Sequence, residues 1–424
     1  MQKETISYIM EFLVGKELSR FVSYGEQSDA SVVIVPSGWF DNPVMPILPV
    51  KMLDGMPILF GEPRTEERGD QVYIYADLIA SAFFLLSRYE ELLNPVRDRH
   101  GRFPGKESVQ VKNCFIDRPM VDEWGRWLRN LIMGKCGVVQ PPLKNCISKL
   151  WLTHDVDTPF ENRGLIGRLR DVAGDIVKRH RFSFRPVIEY VAGRSNPNTF
   201  PWLLEFDDGI IRCIDGNVES VYFILAQKEG DPRDNWYLED SRWPRLVAEF
   251  KKNGVTLGLH VSYAAGVDMK LVSQEVETLQ DHLKHCSPCP KYVRHHLLRM
   301  IDPSDFRHLE AAGITDDFSV GYADIAGFRV GTCRPYRWID PRTGMLGKLV
   351  IHPMTIMECT LDNPSYMGMQ HDAAFEYAKK LISRVAEFNG ECVLLWHNTS
   401  LMPMRGNWQR NLYCECVEFA KGRL

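Results

Sequence analysis

The sequence predicts an α/β protein, with a smaller α/β N-terminal domain over residues 1–145 and a larger domain over 146–424. Three observations point there. A chain of 424 residues exceeds the size at which one core usually stops growing. From Lys149 onward, strand-like runs alternate with helix-like ones, the pattern of a largely parallel sheet, open or closed into a barrel. Between the two parts, Gly137 to Ser148, with Pro141-Pro142, has the composition of a linker.

In the first part, an amphipathic helix spans about 5–19. Glu4 and Glu11 interrupt its apolar face and no small-residue cleavage site follows, so it reads as a first helix and not a signal peptide. Ser31 to Val35 is a strand closed by Pro36-Ser37-Gly38, Pro57 to Phe60 a short strand, and Val72 to Tyr75 another. Ala76 to Leu93 is a long helix with Ala82, Phe83, Leu85, Leu86 and Tyr89 at core spacing. The stretch SRYEELLNPVRDRHGRFP that begins in its last turns is dense in charge. It reads as a solvated helix end and loop, with Arg88, Glu90, Glu91, Arg97, Asp98, Arg99 and His100 facing water. A helix around Trp124 to Met133 closes this part.

The second part begins with an apolar run, Lys149 to Leu152, that leads straight into Thr153-His154-Asp155-Val156-Asp157 and stops at Thr158-Pro159. It reads as a buried strand delivering two carboxylates to its C-terminal end. A helix, Ile166 to Lys178, and a Pro- and Asn-rich interval with a further helical segment, Arg185 to Phe206, follow. Strands are then expected at Val218 to Ala226, Val255 to His260, Tyr292 to His296, Thr315 to Gly321, Lys348 to His352 and Glu391 to His397. Helices fall at Trp243 to Lys252, Lys270 to His285, Pro303 to Ala312, Ala373 to Phe388 and Trp408 to Phe419; Gly313 and Asn389-Gly390 end two of them.

Composition removes some function classes. With 45% hydrophobic and 25% charged residues and a formal net charge of −4, nothing in the balance favours nucleic acid. No run of 18 apolar residues predicts a membrane span. Eleven scattered cysteines, an odd count, suit a reducing, cytoplasmic setting. Cys286-Ser-Pro-Cys289 and Cys414-Glu-Cys416 lack the second pair that a structural zinc site needs. Asn398-Thr399-Ser400 has the form of a glycosylation sequon, but it follows a buried strand and is discounted. Oligomeric state is not legible.

Asp155 and Asp157, two apart on an extended chain, share one face, where like charges repel unless a cation or a proton lies between them. A metal site or a general base explains them; so does a strand-ending turn capped by Asp157, and this stretch alone leaves both open. Other polar residues recur at the same kind of place. His260 ends VTLGLH, Arg294, His295 and His296 end KYVRHH, Asp316 and Asp317 stand in GITDDF, and His397 ends CVLLWH. One histidine at the end of an apolar run is ordinarily structural. In a parallel sheet, however, all these ends lie on one side and converge on one pocket.

Five motifs in this order, THDVD (153–157), GLHVSY (258–263), VRHHLLR (293–299), TDDFSVGY (315–322) and LLWHN (394–398), resemble those of the polysaccharide deacetylases of carbohydrate esterase family four, the NodB-homology group. The resemblance covers about 149–424. Within the family the chain looks closest to a branch with an extra N-terminal domain, which AFFLLSRYEELL and RDRHGRFP resemble in turn. The resemblance implies an irregular (β/α) barrel with fewer strands than the standard eight. It implies removal of an acetyl group from an N-acetylated sugar or polysaccharide precursor, assisted by a divalent metal, zinc by preference.

By the same resemblance, Asp157 and His260 are metal ligands, Asp155 is the general base, Arg294 orients it and keeps it ionised, and His397 protonates the departing amine. Asp316 or Asp317 positions Arg294 or His397, and backbone amides near Tyr263 contribute an oxyanion site. One departure stands out. The family's second motif supplies two histidines four apart, but four residues after His260 stands Ala264. His296, on the Arg294 face of its strand, is the expected third ligand, whereas His295 and His154 point away. Ala264 also keeps a different class of function open: a catalytically silent carbohydrate-binding protein of the same fold. A hydrolase of another non-peptide C–N bond is the third reading. The stretch 321–340, with four aromatic residues and three arginines, is either a packed loop or a sugar-binding wall.

Overall fold

The structure, a computed structural model, describes residues 2–25, 29–142, 144–160, 198–214, 216–228, 231–283, 290–402 and 408–424, and only positions 172, 176 and 187 between 161 and 197. The helix expected over Ile166 to Lys178 and the pair Cys286 and Cys289 lie outside the described residues. The cysteines that are described are free thiols.

The first part opens with helix Lys3–Val14, which Gly15 breaks at φ 84 before a short helix, Lys16–Ser19. Four strands, β1 (Val22–Tyr24), β2 (Val32–Ile34), β5 (Gly61–Arg68) and β6 (Gln71–Ala76), form a sheet in the order β1-β2-β6-β5, and β3 (Lys51–Leu53) pairs with β4 (Met56–Ile58) beside it. Helix Leu78–Leu86 is capped by Asp77, whose carboxylate accepts from the Ala80 amide. The long helix expected from Ala76 to Leu93 is broken at Arg88, φ 58, and resumes over Glu90–Leu93. A further helix, Met120–Cys136, ends on left-handed Gly137.

The second part holds a curled sheet of nine strands: β7 (Lys149–Val156), β8 (Val218–Leu225), β9 (Thr256–Val261), β10 (Tyr292–His295), β11 (Asp316–Asp317), β12 (Tyr336–Ile339), β13 (Leu346–Ile351), β14 (Ile356–Met357) and β15 (Glu391–Leu395). Their order is β12-β13-β11-β10-β9-β8-β7-β15-β14, parallel throughout except for β12 against β13. Among the described residues the edge strands β12 and β14 do not pair with each other, so the sheet they form is open. Nine strands exceed the expected count of fewer than eight. The surplus comes from two strands of only two residues, β11 and β14, and from the antiparallel edge β12.

Strand parity sets the chemistry. On β7, Leu150, Leu152 and Val156 join the main apolar core under the helices, while Trp151 packs with Val221, Phe223, Phe318 and Val393 on the concave side. Thr153 and Asp155 share the Trp151 side by alternation. On β9 the concave residues are Gly258 and His260; a Cβ at Gly258 would sit 2.7 Å from the Phe223 ring. The glycine therefore leaves room for that ring, over which the Arg294 guanidinium lies at 4.7 Å.

The start of the stretch expected to be solvated is buried, whereas Arg99 is exposed and Arg97, Asp98 and His100 are partly exposed. Arg88, Glu90 and Glu91 are 5%, 4% and 3% exposed. Arg88 Nη2 meets Glu91 Oε2 at 2.6 Å, and Arg329 of the second part meets Glu91 Oε1 at 2.7 Å. Charge density alone reads as surface. Here a segment more than two hundred residues away covers it, and pairing compensates the burial. One apolar core runs through both parts, from Ile9 and Trp124 to Ile339, Leu381 and Val417.

At the end of the sheet opposite the carboxylates, His352 closes the concave side. It stacks on Phe318 at 4.4 Å and lies between Glu391 Oε2, 2.6 Å from Nδ1, and Asp316 Oδ1, 2.9 Å from Nε2. Burial lowers the His352 pKa, but the two carboxylates outweigh it and the net shift is upward. For Asp316 burial raises the pKa, and hydrogen bonds from His352 and Thr315 bring it below its usual value. The histidine's contribution is fully present below its unfolded pKa of about 6.5 and fades as pH rises through the folded value; that of Asp316 is present above about 3.9 and fades as pH falls. His352→Phe should therefore cost about 1.5–3 kcal/mol near pH 5.5 and clearly less at pH 9 in denaturant unfolding. An equal loss at both pH values would contradict the ionic role.

Candidate functional site

The sheet brings the strand-end residues together on one side. Asp155 is the last concave residue of β7, and Asp157 lies just beyond the strand. His260 and Arg294 are register partners on β9 and β10. His296 opens a 3-10 turn, His296–Leu298, directly after β10, and His397 stands two residues past β15. Asp155, Asp157, His260, Arg294, His296 and His397 thus form one cluster.

Asp155 has a cationic partner. Arg294 Nη1 lies 3.2 Å from Asp155 Oδ1 and donates to Thr153 Oγ1 at 2.8 Å, while its Nε donates to the Phe318 carbonyl at 3.1 Å. Arg294 is fully buried, and that desolvation lowers its pKa against the pull of Asp155. The other Asp155 oxygen faces His260 Nε2 at 3.6 Å and His397 Nε2 at 3.8 Å.

Asp157 faces imidazoles. Its Oδ1 is 3.3 Å from His260 Nε2 and 3.9 Å from His296 Nε2. One ligand atom from each of the three residues lies within 4.8 Å of the others. Asp157 Oδ1 and His260 Nε2 are buried and have no hydrogen-bond partner. Backbone chemistry explains why they fail to pair. His260 Nδ1 lies 2.8 Å from the Arg294 carbonyl oxygen, which can only accept, so Nδ1 carries a proton, and in the neutral ring that a metal ligand requires Nε2 would turn a lone pair toward the carboxylate. Two acceptors facing each other at 3.3 Å call for a cation.

His296 is oriented in the same way. Its Nδ1 is 2.6 Å from Asp234 Oδ1, leaving Nε2 directed at Asp157. One carboxylate and two imidazoles, each ring tied at Nδ1, match a three-ligand zinc centre with a remaining position open. Burial raises the Asp157 pKa, yet the charge of His296, the His260 contact and His397 bring it well below the usual carboxylate range. For His296 burial lowers the pKa, and Asp157 with Asp234 raise it overall.

His397 is governed by a residue the sequence did not single out. Glu358 Oε1 accepts from His397 Nδ1 at 2.8 Å, from the His397 amide at 3.1 Å and from Ser400 Oγ at 2.7 Å. Burial lowers the His397 pKa, but Glu358, Asp157 and Asp155 push it up to about 10. The supporting role expected of Asp316 or Asp317 therefore falls to Glu358. Asp316 binds His352 at the far end of the sheet, and Asp317 accepts from the Ser319 amide and hydroxyl. The Tyr263 amide is likewise committed, donating to Asp234 Oδ1 and Oδ2 at 3.0 and 2.9 Å, and does not form an oxyanion site.

Two histidines of the motifs stay outside the cluster. His154 points to the outer face, 2.9 Å from the Trp396 carbonyl and 3.0 Å from Asp207, and His295 meets Ser319 Oγ at 3.0 Å. A cavity of ≈ 50 Å³ opens onto Asp155 and His397, bounded by Leu297, Leu298, Ala323, Met357, Cys359, Tyr366 and, from the first part of the chain, Arg102. Of the two readings of 321–340, packing describes it: Tyr322, Phe328, Arg329, Tyr336 and Trp338 are buried. Tyr336 donates to the Leu86 carbonyl, and the Arg337 amide donates to Tyr8 Oη.

A family described as a family of unknown function (DUF7033) matches residues 3–136. No curated protein matches the chain. A solved structure from Mycobacterium smegmatis, titled "putative polysaccharide deacetylase", is 16% identical with a TM-score of 0.40, over 66% of this chain and 86% of that one. That likeness is too loose to carry a residue role or an activity across. Among the described residues, no helix is long and apolar enough to cross a membrane.

The Asp234 contact makes one prediction about the centre itself. Asp234→Asn removes the carboxylate that fixes His296 and should weaken cobalt binding about 10–100-fold in a titration followed by visible absorption. Undiminished affinity would mean that His296 needs no such support or is not a ligand.

Proposed function

We propose that the chain is a hydrolase that removes the acetyl group from an N-acetylated sugar, using a divalent ion held by Asp157, His260 and His296. The observation that carries this reading is the facing pair of acceptors, Asp157 Oδ1 and His260 Nε2, with His296 Nε2 aimed at the same carboxylate. His296 stands in for the histidine that Ala264 replaces. The five strand-end motifs, with their resemblance to the polysaccharide deacetylases, support the sugar amide as substrate class. So does a small cavity with apolar walls, Leu297, Leu298 and Met357, of a size suited to an acetyl group.

When bound, the ion would polarise the acetyl carbonyl and lower the pKa of a water beside it. The protein's own residues supply the proton transfers. Asp155, paired with Arg294 and deprived of most water, is the base that takes a proton from the attacking water as its oxygen bonds to the carbonyl carbon. His397, protonated at neutral pH because Glu358 and the two aspartates face it, gives its proton to the amine nitrogen as the C–N bond breaks. Arg294 stays charged beside Asp155 and takes no part in proton exchange. Products are acetate and the free amino sugar.

Acetate release from N-acetylated oligosaccharides in the presence of zinc, cobalt or nickel tests the reading. Asp155→Asn should retain metal by elemental analysis and lose about 10²–10⁴-fold in turnover. A purified chain that holds no metal and releases no acetate when metal is added would overturn the proposal.

A further inference from the structure

The first part of the chain reaches the turn beside the candidate metal centre through Arg102. Leu297 and Leu298, the two residues after His296, both lie in the left-handed region, at φ 57 and φ 54. Such a backbone is strained for an ordinary residue and persists only where its surroundings hold it. What holds it here is Arg102, whose Nη1 donates to the Leu297 carbonyl at 2.6 Å.

Arg102 is itself clamped. Its Nε and Nη2 meet Asp98 Oδ2 at 2.8 and 2.7 Å, its Nη2 donates to Tyr366 Oη at 3.3 Å, and its amide donates to Asp98 Oδ1 at 2.9 Å. The side chain is 9% exposed, so the pairing is not a loose surface contact. A reciprocal link runs the other way. Arg299, just after the strained pair, donates to the His100 carbonyl at 2.7 Å and the Tyr263 carbonyl at 2.6 Å. Two arginines thus cross the same contact in opposite directions, and the turn between them begins with His296.

We propose that Arg102 is a positioning residue for the metal centre: together with Asp98 it fixes the strained turn that presents His296, and the segment bearing it walls the reaction cavity. The inference rests on the reading of His296 as a ligand given under Proposed function. It assigns a task to the first part of the chain, which is to complete a site whose reacting groups all come from the second part.

Cobalt titration of the full chain, read by visible absorption alongside thermal melts, tests this. Arg102→Ala should bind cobalt at least tenfold more weakly than the parent while remaining folded, and Arg102→Lys, which keeps a donor, should fall between them. Arg126→Ala, which removes a bridge to Glu387 elsewhere in the contact between the parts, should bind as the parent does. If Arg102→Ala does not fold, Arg102→Lys decides alone. Parent-like affinity in the Arg102 variants, or an equal loss in Arg126→Ala, would overturn the positioning role and leave the metal reading standing. A parent chain that binds no cobalt would overturn both.

Discussion

Asp155 and Asp157 leave one face of one strand as like charges, and the rest of the site is arranged around that conflict. Side chains two apart on a strand are spaced by ~7 Å, where two unit charges repel by roughly 2 kcal/mol at an effective dielectric constant of 20. Burial adds to the cost. Yet Asp157 is held well below the usual carboxylate range, so the groups facing it outweigh both penalties. Those groups are His260, His296 and His397, delivered by three other strands whose C-terminal ends lie on the same side, while Arg294 pairs with Asp155.

The facing groups are not shared equally, and the inequality separates the two roles proposed for the carboxylates. Asp155 takes the permanent charge, Arg294, on one oxygen, and the same Nη1 also donates to Thr153 Oγ1. Asp157 takes imidazoles whose far nitrogens are already fixed, His260 by a backbone carbonyl and His296 by Asp234. A base benefits from a fixed countercharge that cannot lose its proton. A ligand benefits from neighbours that present lone pairs in a set direction. Parity on β7 puts both carboxylates on the concave side, and the identity of the facing strand decides what each becomes.

Much of this was legible in the sequence because alternation and strand ends are local signals. The sequence placed His260, Arg294, His296 and His397 at strand ends, and the parity of β10 separated His296 from His295. Glu358 escaped because the strand that delivers it, Ile356–Met357, is too short to leave a periodic trace. Asp234 escaped because it lies in a loop, where no period exists. The role given to Asp316 failed on register, and that given to Asp317 on parity, since Asp317 lies on the His295 face and binds Ser319. With β11 only two residues long, Asp316 pairs at the level of Tyr292, at the start of β10, and so belongs to the opposite end of the sheet. The charged stretch around Arg88 and the aromatic stretch 321–340 misled for a shared reason: each covers the other, and composition does not report burial by a distant segment.

That mutual cover bears on how the fold carries the site. Arg329 and Glu91 are each 3% exposed at the side chain, so separating them would leave Arg329 a buried charge without its carboxylate, a cost of several kcal/mol, while Glu91 would keep only Arg88. Arg88 joins the same cluster and leans on the Met300 carbonyl at 3.3 Å, two residues beyond the strained Leu298. The chain from His296 to Met300 is therefore gripped at Leu297 by Arg102 and at Met300 by Arg88, both from the first part, while Arg299 grips back. A turn with two left-handed leucines would relax if it were free to. Held from both sides, it keeps His296 aimed at Asp157, so the packing between the two parts of the chain and the geometry of the candidate metal centre are one physical problem.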